Sequence, residues 1–311
     1  MMNRSRWGAG LALLVTAGVT IPMLAAGAGG SGEGQAAKAE TAGVTSRLAA
    51  GAGGSGEGQA AKASVVRDRV MSWNSNGQDL GTPQLVAEQI MRFKPQIALL
   101  QESCHGEVDE AVKMLKRQGL EYDAYPGQWT DLNTCDGTKM LGSVALAAKG
   151  TKVDGYGADP YKDRDFNENR NLTFFITRLA GRDVRVFNTQ LSDAGDRDLR
   201  VKQVDQLMDA VPGMPNTLIA GDFNAQPWSP QYPEMGRIWK SGFSDVDPFC
   251  KQTWDSRCNG TQVGSGKKFD YILHKGLNSR NCMLHTVNDD HRVVVSDLTA
   301  GQASGRPCSL V

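Results

Sequence analysis

The sequence lacks an excess of charge of either sign, because its 311 residues carry 34 basic and 34 acidic side chains. This balance excludes a nucleic-acid-binding protein that depends on a strongly cationic surface. The sequence also lacks the Cys-x-x-Cys and cysteine–histidine spacings that are typical of zinc sites. With 40% apolar and 22% charged residues, the chain is neither an intrinsically disordered polymer nor a multi-span membrane protein.

The N-terminal segment is typical of a secretory signal peptide. Arg4 and Arg6 precede an uncharged stretch, residues 7–26, which is rich in Ala, Gly, Leu and Val. The tripeptide Ala26-Gly27-Ala28 then offers a small-residue cleavage site. We therefore expect residues 1–28 to direct secretion. An uncleaved membrane anchor is the alternative, because the apolar stretch is long enough to span a bilayer.

A duplicated segment follows the predicted signal peptide and overlaps it. Residues 16–40 and 41–64 are tandem copies rich in Gly, Ala and Ser. Two copies are too few for a repeat fold, and this composition cannot form a core. We predict a flexible linker over residues 29–64 and one domain over residues 65–311. Residues 1–63 hold five of the 34 basic and three of the 34 acidic side chains, so the remainder is slightly acidic, with 29 against 31.

All six cysteines lie in the predicted domain. An even number of cysteines in an exported chain indicates disulfides, although six cysteines allow fifteen full pairings. We expect Cys250 to pair with Cys258, which is close in sequence. We also expect Cys308 to hold the C-terminal tail in place, with Cys282 as its partner.

Short apolar runs of β-forming residues alternate with helical stretches along the predicted domain, which favours a single α/β domain. The predicted strands are Arg69–Trp73, Ile97–Gln101, Ser143–Ala148, Leu172–Arg178, Val184–Asn188, Thr217–Ala220, Phe269–Leu273 and Arg292–Leu298. The predicted helices are Pro83–Phe93, Glu107–Arg117 and Leu199–Val211. Residues 150–171 and 226–268, rich in Gly, Pro, Asp and Asn, are predicted to be long surface loops.

Polar residues recur at the ends of these strands. Each one alone has an ordinary structural explanation, such as a turn residue or a paired buried acid. Together they place several carboxylates, amides and a histidine where burial without a partner would be costly. Such a set of oxygen ligands favours Mg²⁺ or Mn²⁺. The residues are Asn74, Glu102, Asp222, Asn224, Asp270, Asp290 and His291.

The order of these motifs resembles that of the endonuclease/exonuclease/phosphatase superfamily, which includes the DNase I-like nucleases. The resemblance extends over essentially all of residues 65–300. It implies a four-layer α/β sandwich, in which two mostly antiparallel β-sheets pack face to face between helices, with the site at one end of the sheets. The motifs are Trp73-Asn74, Gln101-Glu102, Asn188-Thr189-Gln190-Leu191, Gly221-Asp222-Phe223-Asn224, Phe269-Asp270-Tyr271-Ile272 and Asp290-His291-Arg292.

The resemblance also implies a metal site and a histidine that acts beside it. Glu102 corresponds to the principal metal ligand of the superfamily, with Asn74 beside it. Asp290 corresponds to a further ligand or an acid on the metal side. His291 corresponds to the general base or phosphate-binding histidine, and Asp270 to the carboxylate that orients it.

The remaining roles concern the attacking water and the phosphate. Asp222 corresponds to the acid that positions the water, and Asn224 to the amide that holds a phosphate oxygen. Arg170 lies where several members have a phosphate-contacting arginine, although an arginine at a strand start is commonly just solvated. Asn188 and Gln190 are further candidate phosphate contacts. Many members have a histidine in place of Gln190, and an amide cannot supply a titrating proton there.

These residue types suit phosphoester hydrolysis, because attack on an anionic phosphodiester requires cancellation of charge at its non-bridging oxygens. The leading hypothesis is a secreted, Mg²⁺- or Mn²⁺-dependent phosphoesterase, most simply a DNase I-like endonuclease acting on nucleic acid as a monomer, with no obligate protein partner. One alternative is a sphingomyelinase-like or inositol-phosphate hydrolase that acts on lipid headgroups, for which Trp228, Tyr232 and Trp239 are candidate membrane contacts. The other alternative is a degenerate member that binds phosphate without cleaving it.

Overall fold

The computed structural model describes residues 64–77, 81–128, 135, 139–164, 170–193, 195–211, 214–228 and 230–311. The predicted signal peptide and all but the last residue of the predicted linker lie outside these residues. No helix within the described ranges combines the length and the apolar character that a membrane crossing requires.

The described residues form thirteen β-strands and four α-helices. The strands are β1 (Val66–Asn74), β2 (Pro95–Cys104), β3 (Tyr122–Pro126), β4 (Met140–Ala148), β5 (Val153–Pro160), β6 (Asn171–Leu179), β7 (Arg182–Gln190), β8 (Thr217–Asp222), β9 (Ser244–Asp245), β10 (Asp270–Lys275), β11 (Asn278–His285), β12 (Val293–Thr299) and β13 (Ser309–Leu310). The helices are α1 (Pro83–Phe93), α2 (His105–Arg117), α3 (Arg197–Ala210) and α4 (Pro233–Lys240).

The strands assemble into two mixed sheets. One has seven strands in the order β13-β11-β12-β1-β2-β4-β3, and the other has six in the order β5-β6-β7-β8-β10-β9. Most neighbouring strands are antiparallel, and the parallel pairs are β1–β2, β7–β8 and β11–β13. This arrangement confirms the predicted pair of mostly antiparallel sheets.

Alternation of side chains along the strands divides the interior into three apolar clusters. In β2, Ile97 and Leu99 face the cluster between the sheets, whereas Ala98 and Leu100 face the cluster beneath α1 and α2. This alternation follows from the two-residue period of a β-strand. A third cluster joins the outer face of the six-stranded sheet to α3 and α4, through Leu207 and Ile238 among others. Three clusters separate four layers, so the predicted four-layer α/β sandwich is confirmed.

Helix α1 has the bounds that the sequence predicts. Thr82 accepts a hydrogen bond from the backbone N–H of Leu85 at 3.2 Å, and Pro83 occupies the first turn, where its missing N–H costs nothing. Helix α2 begins two residues earlier than predicted. Helix α3 is shifted towards the N-terminus, by two residues at its start and one at its end.

The two segments predicted as long loops are more ordered than the sequence suggests, and this prediction is wrong in part. Residues 150–171 contain β5, whose glycines hide the pattern of a strand. A Cβ on Gly157 would lie 2.4 Å from the ring of Phe174, so this edge strand passes too close to β6 for a side chain. Residues 226–268 contain α4 and the short β9. The prediction also omitted β3, β11 and β13.

Three disulfides join the six cysteines. Cys250–Cys258 and Cys282–Cys308 confirm the two expected pairings. The third disulfide, Cys104–Cys135, fixes the end of β2. The bond to Cys308 ties the C-terminal tail to β11, as expected.

Candidate active site

All the predicted site residues except Asn188 meet where several strands end at one edge of the two sheets. Asn74, Gln190 and Asp222 are the last residues of β1, β7 and β8. Asp270 is the first residue of β10, which runs antiparallel to β8, and it pairs directly with Asp222. Because parallel strands end at the same edge and an antiparallel partner begins there, six separate sequence motifs converge on one place.

A β-bulge turns Glu102 out of the sheet. Two steps along β2, from Gln101 to Ser103, correspond to one step along β4. Glu102 lies between them with a φ of 49°, in the left-handed region that few residues other than glycine adopt. Bulges of this kind redirect a side chain at the edge of a sheet. The carboxylate of Glu102 is thereby brought to the cleft instead of the interior.

The Gly221-Asp222-Phe223-Asn224 motif makes a close turn at the end of β8. Gly221 has a φ of 147°, and a Cβ there would lie 1.7 Å from the carbonyl oxygen of Thr189 on β7. Only glycine fits this position. Asp222 Oδ1 then accepts the backbone N–H of Asn224 at 2.9 Å, and the side-chain amide of Asn224 donates to the carbonyl oxygen of Leu191 at 3.2 Å, so both side chains are fixed at the cleft.

His291 is hydrogen-bonded through one ring nitrogen and faces two further carboxylates with the other. Its Nδ1 lies 2.8 Å from Asp270 Oδ2, and its Nε2 lies 4.0 Å from Asp222 Oδ2 and 3.6 Å from Asp290 Oδ1. Its backbone carbonyl accepts the indole N–H of Trp73 at 3.2 Å. The predicted contact between Asp270 and His291 is therefore present, and the two roles assigned to them stay predictions.

Burial and neighbouring charge have opposing effects on the pKa of His291 and on that of Asp222. Burial alone would lower the pKa of His291, but the negative charges of Asp270, Asp222 and Asp290 outweigh it and raise the pKa to about 11. Burial raises the pKa of Asp222 to about 7, although the charge of His291 counteracts it. Titratable groups with environments that separate their pKa values are typical of acid–base sites.

Two amide side chains bridge the carboxylates of Glu102 and Asp222. The amide nitrogen of Asn74 donates to Glu102 Oε1 at 3.0 Å and to Asp222 Oδ2 at 3.1 Å. The amide nitrogen of Gln190 donates to the same Glu102 oxygen and lies 3.5 Å from Asp222 Oδ2. The oxygen of Asn74 accepts the backbone N–H of Asn76 at 3.0 Å, so coordination of a metal by Asn74 would require its amide to turn over.

Arg170 reaches the site from the start of β6. Its guanidinium lies 3.7 Å from Glu102 Oε1 and donates to Asp193 Oδ1 at 2.9 Å, and its side chain is only 8% exposed. Arg170 is therefore not a solvated arginine at a strand start, which the sequence allowed as the alternative to a phosphate contact. Asp193 was not predicted, because an acid in a loop after a strand gives no distinctive signal.

Asn188 lies away from the cleft, in contrast to its prediction as a phosphate contact. Its amide nitrogen donates to the carbonyl oxygens of Leu100 and Val144, both at 3.0 Å, and its oxygen accepts from Gln101 at 2.7 Å. These partners belong to the opposite sheet. Asn188 is fully buried between the sheets, and we correct its assignment to sheet packing.

A cleft of about 490 Å³ opens over these groups. Its lining includes three of the predicted catalytic residues and adds residues that the sequence did not single out. Asp290 lies beside it, where its Oδ2 accepts from the amide of Asn76 at 2.8 Å. The lining residues are Glu102, Asp193, Gly195, Asp222, Asn224, Gln262, Lys267, Phe269 and His291.

The residues at the cleft suit a hard divalent cation. Asp222, Asp270 and His291 each offer one ligand atom within 4.8 Å of the others. Because His291 Nδ1 is hydrogen-bonded to Asp270, these three residues are better suited to proton transfer than to the coordination of a metal ion. Carboxylate oxygens are also offered by Glu102, whose side chain is 26% exposed, and by Asp290, and such oxygens are the preferred ligands of Mg²⁺.

Similar solved structures share this fold. An endonuclease/exonuclease/phosphatase from Beutenbergia cavernae is 20% identical, with a TM-score of 0.58 over 76% of this chain and 72% of that one. The human Nocturnin catalytic domain, solved with a bound sulfate, has the same identity and TM-score over 76% and 96%. TDP2 from D. rerio, solved with a single-stranded DNA product, is 18% identical with a TM-score of 0.57 over 74% and 98%.

Sequence comparison assigns the family. A search of curated proteins found no significant match. The sequence profile of the Endonuclease/Exonuclease/phosphatase family, however, matches residues 71–297, which is most of the chain and includes every residue of the site described above. The chain therefore belongs to the Endonuclease/Exonuclease/phosphatase family.

Proposed function

We propose that this protein is an exported, divalent-metal-dependent phosphoesterase that hydrolyses phosphodiester bonds in nucleic acid. Members of its family are generally phosphoester hydrolases. The observation that carries the proposal is the position of His291, whose ring is fixed by Asp270 at 2.8 Å and lines the same cleft as Glu102 and Asp222. A protein that only bound phosphate would have no need of a buried carboxylate behind that histidine.

His291 meets the substrate through Nε2. Because Asp270 occupies Nδ1, the ring has one orientation, and Nε2 is left to bind a phosphate oxygen or to transfer a proton. Asp222 lies 4.0 Å from Nε2, where its carboxylate can orient an attacking water. Asn224 lines the same cleft, and its amide nitrogen would donate to a phosphate oxygen on leaving its contact with the carbonyl oxygen of Leu191 at 3.2 Å.

The metal belongs on the side of the cleft that holds Glu102. Glu102 and Asp290 would hold the ion, and Asn74 would join them if its amide turned over. Mg²⁺ or Mn²⁺ bound there would cancel charge on the non-bridging oxygens of the phosphate. The amide of Gln190 keeps the carboxylates of Glu102 and Asp222 in place for both tasks, and that of Asn74 does so while its nitrogen faces them.

Nucleic acid is the substrate that best suits the surroundings. The cleft is open at the edge of the sheets, so a strand can cross it, and a DNA product is bound by one of the structural relatives. The slightly acidic domain argues against tight binding of duplex that survives high salt. We therefore expect activity to fall as the salt concentration rises.

Export is supported by the disulfides. Three of them form within the described residues, and disulfides persist in oxidising compartments such as the extracellular space. The N-terminal composition points to the same compartment. Processing of the secreted protein after Ala28, detected by N-terminal sequencing, would support this part of the proposal, and an intact N-terminus in the membrane fraction would contradict it.

The lipid-headgroup alternative has less support. Two of the three aromatic residues that favoured it are partly buried and pack against the apolar cluster between the six-stranded sheet and helices α3 and α4. Trp239 donates its indole N–H to the carbonyl of Pro227 at 3.1 Å, and Tyr232 lies over the guanidinium of Arg200 at 5.6 Å. Neither is presented as a free membrane contact.

A nicking assay on supercoiled plasmid tests the proposal. We expect the disulfide-bonded protein to nick DNA with Mg²⁺ or Mn²⁺ and to stop in EDTA. His291→Ala should abolish nicking, whereas the matched control His285→Ala, in β11 outside the cleft, should retain it. RNA, sphingomyelin, inositol phosphates and bis(4-nitrophenyl) phosphate are run alongside. Hydrolysis of the lipid substrates alone would favour that alternative, and no metal-dependent turnover of any phosphoester would contradict the enzymatic function.

A further inference from the structure

Lys267 is fixed on a tight hairpin at the rim of the cleft. Its backbone carbonyl accepts the N–H groups of Thr261 at 2.8 Å and Gln262 at 2.9 Å. The approach of the two arms depends on glycine, because a Cβ on Gly260 would lie 2.0 Å from the carbonyl oxygen of Gly266. The backbone of Lys267 therefore has a defined position, while its side chain is exposed.

The same hairpin is joined to the segment that carries His291. The N–H of Arg292 donates to the carbonyl of Thr261, and the N–H of Val263 donates to that of Asp290, both at 2.7 Å. Gln262 also forms a β-bridge with His291. These bonds fix the distance between the backbones of Lys267 and His291, so the ammonium group moves only within the reach of its own side chain.

Among the residues that the structure describes, Lys267 has no acidic partner. Within the described ranges no carboxylate lies at ion-pair distance from its Nζ, which lies over the ring of Phe269 at 5.9 Å. Two other basic groups nearby already have acidic partners. Arg170 lies against Asp193 and Glu102, and Lys268 is buried against Asp245 at 3.0 Å.

We propose that Lys267 binds a second anionic group of the substrate, beside the phosphate that is cleaved. The scissile phosphate is accounted for by His291, Asn224 and the metal side of the cleft, so the ammonium at the rim is left for a neighbouring phosphate. This inference rests on the proposed phosphodiesterase function and deepens it. The preferred substrate is a diester with a flanking phosphate, as in a nucleic-acid strand, over an isolated diester.

Three substrates with the same scissile bond isolate this contact. They are the dinucleotide TpT, which has no flanking phosphate, and its 5′- and 3′-phosphorylated forms. We expect wild-type protein to cleave one phosphorylated form about tenfold more efficiently than TpT, and the form that responds gives the polarity of the bound strand. Lys267→Gln should remove this preference, so that the phosphorylated form that responds in wild type is cleaved no better than TpT.

Two further variants complete the test. Lys267→Arg keeps the charge and should keep most of the preference. Lys116→Gln removes an exposed lysine from α2 and should behave as wild type. The preference should also weaken with added salt, because an exposed charge pair is screened. An equal loss on all three substrates in Lys267→Gln, or an unchanged preference, would overturn the inference.

Binding measurements separate this inference from the proposed function. If wild-type protein cleaves none of the three substrates, the plasmid-nicking assay decides the phosphodiesterase proposal, and Lys267 is judged by calorimetric affinity for TpT and its phosphorylated forms. Tighter binding of a phosphorylated form that is lost in Lys267→Gln would support the contact. Equal affinities of wild-type protein and Lys267→Gln for the phosphorylated forms would refute the contact.

Discussion

Asp270 Oδ2 and His291 Nδ1 lie 2.8 Å apart, with Asp270 completely buried and His291 6% exposed. Asp270 belongs to the six-stranded sheet and His291 lies two residues before β12 of the other, so the contact joins the two sheets at the edge where the site lies. Such a buried carboxylate fixes the orientation of the ring and favours its protonated form.

Replacement of Asp270 by Asn should lower the pKa of His291. The structure raises this pKa to about 11 through Asp270, Asp222 and Asp290, and the substitution removes the charge that is hydrogen-bonded to the ring. The chain has four histidines, so NMR titration of the ring resonances of the metal-free protein, assigned with His291→Gln, can follow it. Turnover should also fall about a hundredfold or more, the usual range for a displaced acid–base group.

Asp290→Asn is the matched comparison. It removes a carboxylate 3.6 Å from Nε2 but leaves the bond at Nδ1, so the pKa of His291 should fall less than in Asp270→Asn. If the two variants titrate alike, the hydrogen bond that His291 Nδ1 donates to Asp270 has no special part in holding the proton.

Gln190 should matter through the two carboxylates that it bridges. Its amide donates to Glu102 and lies 3.5 Å from Asp222, and loss of a hydrogen bond to a charged group costs about 1.5–3 kcal/mol. Gln190→Ala should therefore lower turnover about tenfold or more and change the Mg²⁺ concentration required for half-maximal activity. Unchanged turnover in both Gln190→Ala and Gln190→His would show that the position is not catalytic.

The sequence predicts the positions at strand ends well, because apolar runs identify the strands and the residue that follows each run is visible. Glu102 and Asp222 are of this kind. Asn188 was assigned wrongly because it shares a strand face with Gln190 but lies two residues earlier, about 7 Å deeper at the usual rise of a strand. That depth places it between the sheets, and no local pattern reports it.

Other features depend on tertiary contacts that leave no local pattern. Lys267 and Asp193 reach the cleft from loops, where a charged residue is ordinary. The edge strand β5 has glycines in place of alternating apolar residues, because the ring of Phe174 on β6 fills the space beside Gly157 and Gly155 has a positive φ of 57°. Such features follow from the packing of distant segments, which the sequence alone does not display.

The buried ion pair between Arg200 and Glu234 should be sensitive to the loss of one partner but tolerant of the replacement of both partners by apolar residues. Both side chains are fully buried, with a distance of 2.8 Å from Arg200 Nε to Glu234 Oε1. Arg200 also donates to the carbonyl oxygens of Ser192 and Asp193, next to the cleft. Arg200→Met should lower the free energy of unfolding by about 3–5 kcal/mol, because it leaves a buried charge without its partner.

The double variant Arg200→Met with Glu234→Leu tests the cause. It removes both charges and should recover much of the stability lost in Arg200→Met, as measured by urea unfolding. The activity of the double variant should remain below that of wild type, because the carbonyl oxygens of Ser192 and Asp193 still lack the guanidinium that donates to them. A double variant no more stable than the single one would show that lost packing, not an unpaired charge, causes the destabilisation.

Stability should fall in mild acid partly because of His274. Burial lowers the pKa of His274, although hydrogen bonds to the carbonyls of Leu277 and Asp245 counteract it. Below the usual histidine pKa of about 6.5, the unfolded chain therefore binds a proton that the folded protein binds less readily. The folded state therefore loses stability as the pH falls below about 6.5, the usual histidine pKa, and retains this stability at higher pH. We expect His274→Asn to lose less of its Tm than wild type between pH 7.5 and pH 5. Since Asp222 and His291 are present in both proteins, their contributions cancel in this difference, and equal losses would exclude His274 as a source of the acid sensitivity.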